Sequence, residues 1–575
     1  MNRRQFLAAA ASTAAIHAVP AKIDAAPAAP SRRKLREFEY SQVTLTGGPL
    51  ADHYRRVHRH FLTLDNDRVL KVYRQRAGLP APGADMGGWY DADGFVPGHL
   101  IGQFISGLAR LSAHTGDAAA AAKALALLDG YAATLGADNN PYASSKASTT
   151  WPCYILDKYE VGLLDAAALL HSDQARALLP RVISGAQQFI PDHTYDRDAN
   201  SPKQAPYDEP YILSENLFRV HELLGDERYL KLARLYLLDS YFDPLARGRN
   251  ILPGKHGYSH VIALSSAAKA YEVLGDLRYL QAIRNAWDML EQTQEYASGA
   301  WAPKEAFVTP HRGELAASLV STHEHFETPC GYYAHSKLAR YLLGFTADAR
   351  YGDGLERVLY NTILGAKDPD DNGGCFYYSD YHARATKSYY QRKWPCCAGT
   401  LVQSVADYPL NLYFHDDFGI YVNLYAASAV RWESGGVPVT LTQRTGYPES
   451  ESIAIDVAPD SPAEFSVSVR IPAWIDRPAT LTVNGKDVAT RRGSFVAIRR
   501  RWTKTDTIQL TLPFATRTVP VDDRHPEIMA ILRGPLMMSA IDAAEDVSVS
   551  AALAGKLLPF YQVKDEVYST YFRGV

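Results

Sequence analysis

Cysteine is scarce in this 575-residue chain. There are five, an odd number and too scattered to form the disulfide framework of a small secreted scaffold. An excess of one charge is also missing. Lys and Arg total 60 against 63 Asp and Glu, a net charge of −3, which argues against a basic nucleic-acid surface or a polybasic membrane patch. Beyond the first 30 residues no apolar run reaches the roughly 18 residues a membrane helix needs, so the mature chain is expected to be soluble. What is present is ordinary globular material. Hydrophobic residues make up 47% and charged residues 21%, and the length calls for more than one folding unit. The 36 Tyr and 8 Trp suit sugar stacking and core packing alike.

The first 30 residues, MNRRQFLAAAASTAAIHAVPAKIDAAPAAP, place Arg3 and Arg4 before Phe6, Leu7 and an Ala-rich run with small residues suited to cleavage. Paired arginines ahead of a weakly hydrophobic run predict a twin-arginine leader and a periplasmic or secreted protein, with a Sec-type signal or an anchor as the alternative. Thiols exported this way end in an oxidising compartment, where uncommitted cysteines tend to pair.

Residues 31–415 read as helical hairpins. GHLIGQFISGLARLSAHTGD, SENLFRVHELLGDERYLKLARLYLL and VIALSSAAKAYEVLGDLRYLQAIRNAWDML carry apolar residues at i, i+3, i+4 and i+7. A turn signal recurs at 114–117, 171–174, 224–230, 274–280 and 345–351, mostly at the spacing of two helices plus their connections. In the Gly-Asp cases Gly suits the left-handed residue that closes one helix and Asp caps the next. Six such hairpins would close an (α/α)6 barrel around a central cavity; an open array is the alternative. From about 416 the period becomes two. GIYVNLYAASAVRW, VPVTLTQRTGY, ESIAIDVAP, AEFSVSVRIPAW, ATLTVNGKDV and DTIQLTLPF predict an antiparallel β-sandwich over 416–575, so the fold class is α+β multidomain. LREFEYSQVTLTGG near residue 35 is strand-like and is a candidate for the same sheet, whereas FYQVKDEVYSTYFRGV at the end has no clear pattern.

Three cysteines have unusual surroundings. In HFETPCGYYAHSKLARYLLG, Thr328 suits an N-cap and Pro329 the first helical position, so Cys330 falls in a first turn, where the helix dipole favours a thiolate. In WPCCAGTLVQSVADYPLNLYF a helix is expected from near Gly399 or Thr400, putting Cys396 and Cys397 at a second helix start. Together with Glu327 they supply four ligands, the number zinc prefers. The separation from Cys330 to Cys397 is not a zinc-finger spacing, and unrelated buried thiols or a disulfide account for the same residues. His323 and His325 in HEHFE are rival ligands or substrate-facing groups. If the chain is a glycosidase it also needs a proton-donating carboxylate, for which Glu314, Glu305 and Glu324 compete.

The combination WAPKEAF, GELAASL, FETPCGYYAHSKLARYLLG, RYGDGLERVLYNTILGA, FYYSDY, WPCCAGT and YVNLY resembles the β-L-arabinofuranosidase family, glycoside hydrolase family 127, over most of the mature chain. That resemblance implies an (α/α)6 barrel with β-sandwich domains and a Zn2+ ion held by Glu327, Cys330, Cys396 and Cys397. It implies further that Cys396 is the nucleophile, Glu314 the acid/base, and His260 (with His99 a weaker candidate) a sugar contact. The expected activity is retaining exo-hydrolysis of a β-L-arabinofuranoside or related furanoside from a glycan, with no nucleic-acid or membrane partner. The alternatives are another exo-glycosidase or a polysaccharide lyase on the same toroid, or a non-catalytic glycan-binding protein with structural zinc. The chain departs from the family pattern where Pro329 makes Glu-Thr-Cys into Glu-Thr-Pro-Cys, and in YILDKYEVGLL and YILSENLFRV, which lack histidines some members use on the sugar.

Overall fold

The Gly-Asp turns form as their chemistry requires. In a computed structural model describing residues 32–198 and 208–574, Gly116, Gly225 and Gly275 close their helices at φ 72°, 69° and 78°. Asp117, Asp226 and Asp276 then cap the next helices by accepting from Ala119, Arg228 and Arg278 N at 2.8–2.9 Å. Ala347 takes the left-handed place of glycine in FTADARY (φ 59°), and Asp348 accepts from Arg350 N at 3.1 Å. The leader expected over residues 1–30 lies outside the described residues.

These turns fold the first two-thirds of the chain into paired helices. Ile101–Thr115 packs on Pro152–Leu169, which packs on Leu213–Leu224, then Gly257–Leu274, Thr328–Thr346 and Cys396–Ala406, and the last packs back on Ile101–Thr115. Each of the six also contacts a second helix: Ala118–Ala132, Asp173–Ala186, Glu227–Leu235, Leu277–Thr293, Arg350–Asn361 and Gly48–Thr63 in turn. The members of the cycle are largely buried, as in the unbroken run Pro152–Ala166. Where Ile101–Thr115 crosses Pro152–Leu169, Gly102 faces Gly162. A Cβ at Gly102 would stand 1.8 Å from the Lys158 carbonyl oxygen, so no larger residue fits there without moving a helix. No helix among the described residues is long and apolar enough to cross a membrane.

The C-terminal third is β-rich, and strands such as Ser452–Pro459 alternate buried and part-exposed residues as a half-covered sheet demands. Among the described residues there are three sheets of five, seven and six strands and one two-stranded ladder. Pairing is antiparallel except between Gly419–Val422 and Ala463–Ile471, which run parallel. Arg36–Glu37 pairs with Tyr413–His415, and Val43–Leu45 with Ser428–Ser434, so the start of the described chain lies in these sheets. The unpatterned C-terminus supplies Tyr568–Ser569 and Tyr571–Arg573 to the third sheet. Fully buried Arg470 anchors β to α by pairing with Asp353 and Glu356 of Arg350–Asn361.

Candidate active site

Two neighbouring helices of the cycle begin side by side. Thr328–Thr346 carries Cys330 as its third residue, and Cys396–Ala406 opens on Cys396 and Cys397, three residues earlier than Gly399. The two-stranded ladder of Phe326–Glu327 and Tyr378–Ser379 fixes the first start, with Thr328 N donating to the Tyr377 carbonyl at 2.6 Å. Pro329 occupies the first turn, where a missing N–H removes no helical bond, and its carbonyl accepts from Ser404 Oγ at 3.3 Å. Glu327 therefore keeps its place despite the additional residue. Its Oε1 lies 3.1 Å from Cys396 Sγ and 3.7 Å from Cys397 Sγ, while Cys397 Sγ lies 3.4 Å from Cys330 Sγ. One ligand atom from each of the four falls within 4.8 Å of the others, and all four residues are buried.

Burial pushes the Glu327 carboxyl and the Cys330 and Cys397 thiols up, with the neighbouring acids adding to it. Burial opposes ionisation of Cys396 too, yet hydrogen bonds from Cys330, Cys397, Glu327 and Tyr377 hold its thiol well below the usual range. None of the four pairs with Lys or Arg among the described residues. Three soft sulfurs, one carboxylate oxygen and no compensating cation are a donor set suited to a thiophilic divalent metal. The four are not equally accessible. Cys330 and Cys397 are 0% exposed, whereas Cys396 and Glu327 retain 7% and 6%. Cys396 is the thiol a ligand can reach.

A second carboxylate stands beside the cluster. Glu305, with His256 and Glu327, forms another group whose ligand atoms lie within 4.8 Å of one another. It sits on a loop with three non-glycine residues in the left-handed region: Ala302 (φ 57°), Lys304 (φ 56°) and Glu305 itself (φ 62°). Strain of this kind persists only where tertiary contacts over-determine it, and it concentrates at functional sites. Here Tyr377 and Tyr378 donate their hydroxyls to Glu305 Oε1 at 3.0 and 2.5 Å, and His256 Nε2 lies 3.3 Å from Oε2. Against the effect of burial, His256 and the two hydroxyls bring the Glu305 carboxyl down to about 2. Tyr377 OH also lies 3.7 Å from Cys396 Sγ, so one phenol links the thiol to the carboxylate.

Comparison with known proteins identifies the family. The family model for the β-L-arabinofuranosidase GH127 catalytic domain matches residues 42–410, and that for the GH127 middle domain matches 419–514. The chain belongs to glycoside hydrolase family 127. A solved family 127 β-arabinofuranosidase is 18% identical, with a TM-score of 0.73 over 94% of this chain and 98% of that one. A family 127 β-L-arabinofuranosidase from Geobacillus stearothermophilus T6 is 16% identical, with a TM-score of 0.70 over 93% and 100%. A non-reducing end β-L-arabinofuranosidase of Bifidobacterium longum is 25% identical over 301 residues, which are 48% of this chain and 44% of that protein. The chain thus matches less than half the length of this curated relative.

Within this family 127 site, three of the expected residues stand differently from the sequence reading. Glu314 is not at the cluster. It is exposed, accepts from Thr309 N at 2.8 Å, and lines a separate cavity of about 590 Å³ with Trp474, Arg517 and Asp522. The reason is local: Gly313 (φ 72°) opens the short helix Glu314–Ser318, whose Ala316 N donates to Asp522 on the β side. Glu305 takes the position expected of it. His260 is fully buried, with Nε2 3.2 Å from Asp196 and Nδ1 3.5 Å from Asp198, and it forms a group with these rather than with the thiols. His256, one turn earlier, is the histidine that reaches Glu305. His99 is buried beside the cluster, its Nδ1 2.5 Å from the Val96 carbonyl oxygen. Burial pushes it down to about 4, and Cys396 is the charge it feels most strongly. Sequence reasoning passed over His256, Tyr377 and Tyr378. The signal for the tyrosines was the run FYYSDY. Cys153 and Cys375 are buried free thiols, in keeping with their isolated positions.

Proposed function

We propose that the protein is a zinc-dependent retaining glycosidase that releases terminal β-L-arabinofuranosyl residues from glycans, with Cys396 as nucleophile and Glu305 as acid/base. The observation that carries this reading is one accessible thiol, Cys396, held between a buried three-ligand group and a strained carboxylate. Glu327, Cys330, Cys396 and Cys397 are the residues that would hold Zn2+, which when bound keeps these thiols deprotonated and draws charge from sulfur. Cys396 Sγ attacks the anomeric carbon while a proton passes to the leaving oxygen through Glu305, whose Oε2 lies 3.3 Å from His256 Nε2. The C–O bond breaks and a glycosyl–cysteine forms. Glu305, now a carboxylate, takes a proton from water, whose oxygen displaces Cys396 as a thiolate. Two inversions retain the configuration. Trp89, with Tyr377 and His99 ring centroids each 6.4 Å away, walls the sugar side of the site.

The cyclic packing of six helices, each backed by a second, supports reading residues 31–415 as an (α/α)6 barrel with a β-sandwich region over 416–575. Arg3 and Arg4 support twin-arginine export. The deciding experiment incubates purified Glu305→Gln with an aryl β-L-arabinofuranoside whose leaving group needs no proton. Peptide mass spectrometry is then expected to find one pentosyl mass on the peptide holding Cys396, and wild type is expected to contain about one zinc per chain. An active Cys396→Ser, or an adduct on any other residue, sinks the assignment.

A further inference from the structure

The cavity beside Glu314 lies apart from the thiols. It holds about 590 Å³, within the roughly 300–1,000 Å³ of ligand pockets, and shares no lining residue with the Cys396 cluster or with Tyr377 and Tyr378. Leu277–Thr293 and Arg350–Asn361 supply Glu291 and Arg357 to one wall, and the β region supplies Trp474 and Arg517 to the other. Trp474 is half-buried. Its Nε1 donates to Glu356 Oε2 at 2.8 Å and its ring meets Phe514 edge-on at 5.7 Å, so the indole is fixed with part of its surface uncovered. Arg517 stands 5.7 Å over that ring and donates from Nη1 to the Gly534 carbonyl at 2.7 Å. The neighbouring carboxylates pair elsewhere: Glu356 with Arg470, and Glu291 and Glu295 with Arg357. Among the described residues Arg517 has no carboxylate within 4.0 Å.

Arg357 is 34% exposed and Glu291 23%, so donors and an acceptor face the cavity together. Both kinds side by side suit groups that donate and accept at once, as a sugar hydroxyl does. The indole beside them suits the apolar C–H face of a sugar ring. Charge disfavours the rival ligands. An anion meets Glu291, Asp522 and Asp523, whereas an amine meets Arg357 and Arg517. Burial pushes Glu295 up to about 7, which weakens the wall's hold on a cation further. A metal ion needs converging oxygens. None of the cavity's acids belongs to a group of three or more whose ligand atoms lie within 4.8 Å of one another among the described residues.

We propose that this cavity is a second, non-catalytic carbohydrate site, which seats a neutral sugar residue of a glycan against Trp474, with Arg357 and Arg517 donating to its oxygens and Glu291 accepting from its hydroxyls. The site is independent of the hydrolytic activity, because binding is read without turnover. The test is isothermal titration calorimetry of the full chain as wild type, Cys396→Ser, Trp474→Ala and Arg517→Gln, each checked by its melting curve. The probes are neutral tetrasaccharides of arabinose, galactose and xylose, with trigalacturonate and spermidine as charged counterparts. Wild type and Cys396→Ser are expected to bind a neutral tetrasaccharide alike. Trp474→Ala is expected to weaken that binding about tenfold. Arg517→Gln is expected to weaken it about threefold, and it carries the comparison should Trp474→Ala melt early. Binding unchanged in both cavity variants, no neutral tetrasaccharide bound, or a charged probe bound in preference overturns the site. Binding that Cys396→Ser abolishes places the sugar at the thiols and overturns it equally.

Discussion

Two acid-rich regions of this molecule look alike by residue type and differ in how charge is balanced. The larger cavity, where Glu314 stands, brings together Glu291, Glu295, Asp353, Glu356 and Asp523. Each has a cationic or imidazole partner: Arg470 for Asp353 and Glu356, Arg357 for Glu291 and Glu295, and His311 for Asp523. The smaller region gathers Glu327 and three thiols and provides no Lys or Arg. Space alone would point to the first region. Buried acids without a counter-charge point to the second, because such a set is stable only if it keeps its protons or binds a cation. Charge balance and cavity size therefore point to different regions of this molecule.

The sharpest way to break this comparison is to remove the accessible thiol. Cys396→Ser is expected to lower kcat on aryl arabinofuranosides by about 10⁴-fold or more with the circular dichroism spectrum retained, since the proposed nucleophile is lost while the other proposed ligands remain. Next in size, Glu305→Gln is expected to cost about 10²- to 10⁴-fold on substrates with poor leaving groups and much less on activated aryl glycosides. A uniform loss across leaving groups would remove its acid role. In the paired region the effect falls on stability. Arg470→Met leaves Asp353 and Glu356 uncompensated under the β region and is expected to destabilise by about 3–5 kcal/mol, read as a lower urea midpoint. The smallest effect is the most discriminating. Glu314→Gln is expected to change kcat/KM by less than about twofold, because an exposed carboxylate in the other cavity touches no reacting group. A loss near that of Glu305→Gln would reverse the correction.

Features set by neighbours in sequence were legible. The Gly-Asp turns depend on a left-handed glycine and a cap that accepts from the N–H two residues on, so LGDERYL and LGDLRYL announce their hairpins without tertiary help. The change of period near 416 and the placing of Cys330, Cys396 and Cys397 at helix starts are local in the same sense. The choice among glutamates was not. Glu305, Glu314 and Glu324 lie within twenty residues on connecting segments, where no periodicity says which way a side chain faces. The two histidines show the same limit. His256 and His260 are one helical turn apart and share a face, but His256 is the N-cap at the open end while His260 is enclosed by Tyr211 and Tyr241, each 5.0 Å away.

By itself the sequence determined the helical hairpins, the later strands and the acidic helix starts, because each rests on backbone preferences spanning a few residues. Only the tertiary structure decided that two helix starts 68 residues apart would meet around one point, and that Glu305 rather than Glu314 would stand there. It also left Cys396, at 7% exposure, the most accessible of the cluster's thiols. The reason is physical: a left-handed run at Ala302, Lys304 and Glu305 is unfavourable locally, and it is held by Tyr377, Tyr378 and His256, which reach Glu305 only once the chain has folded.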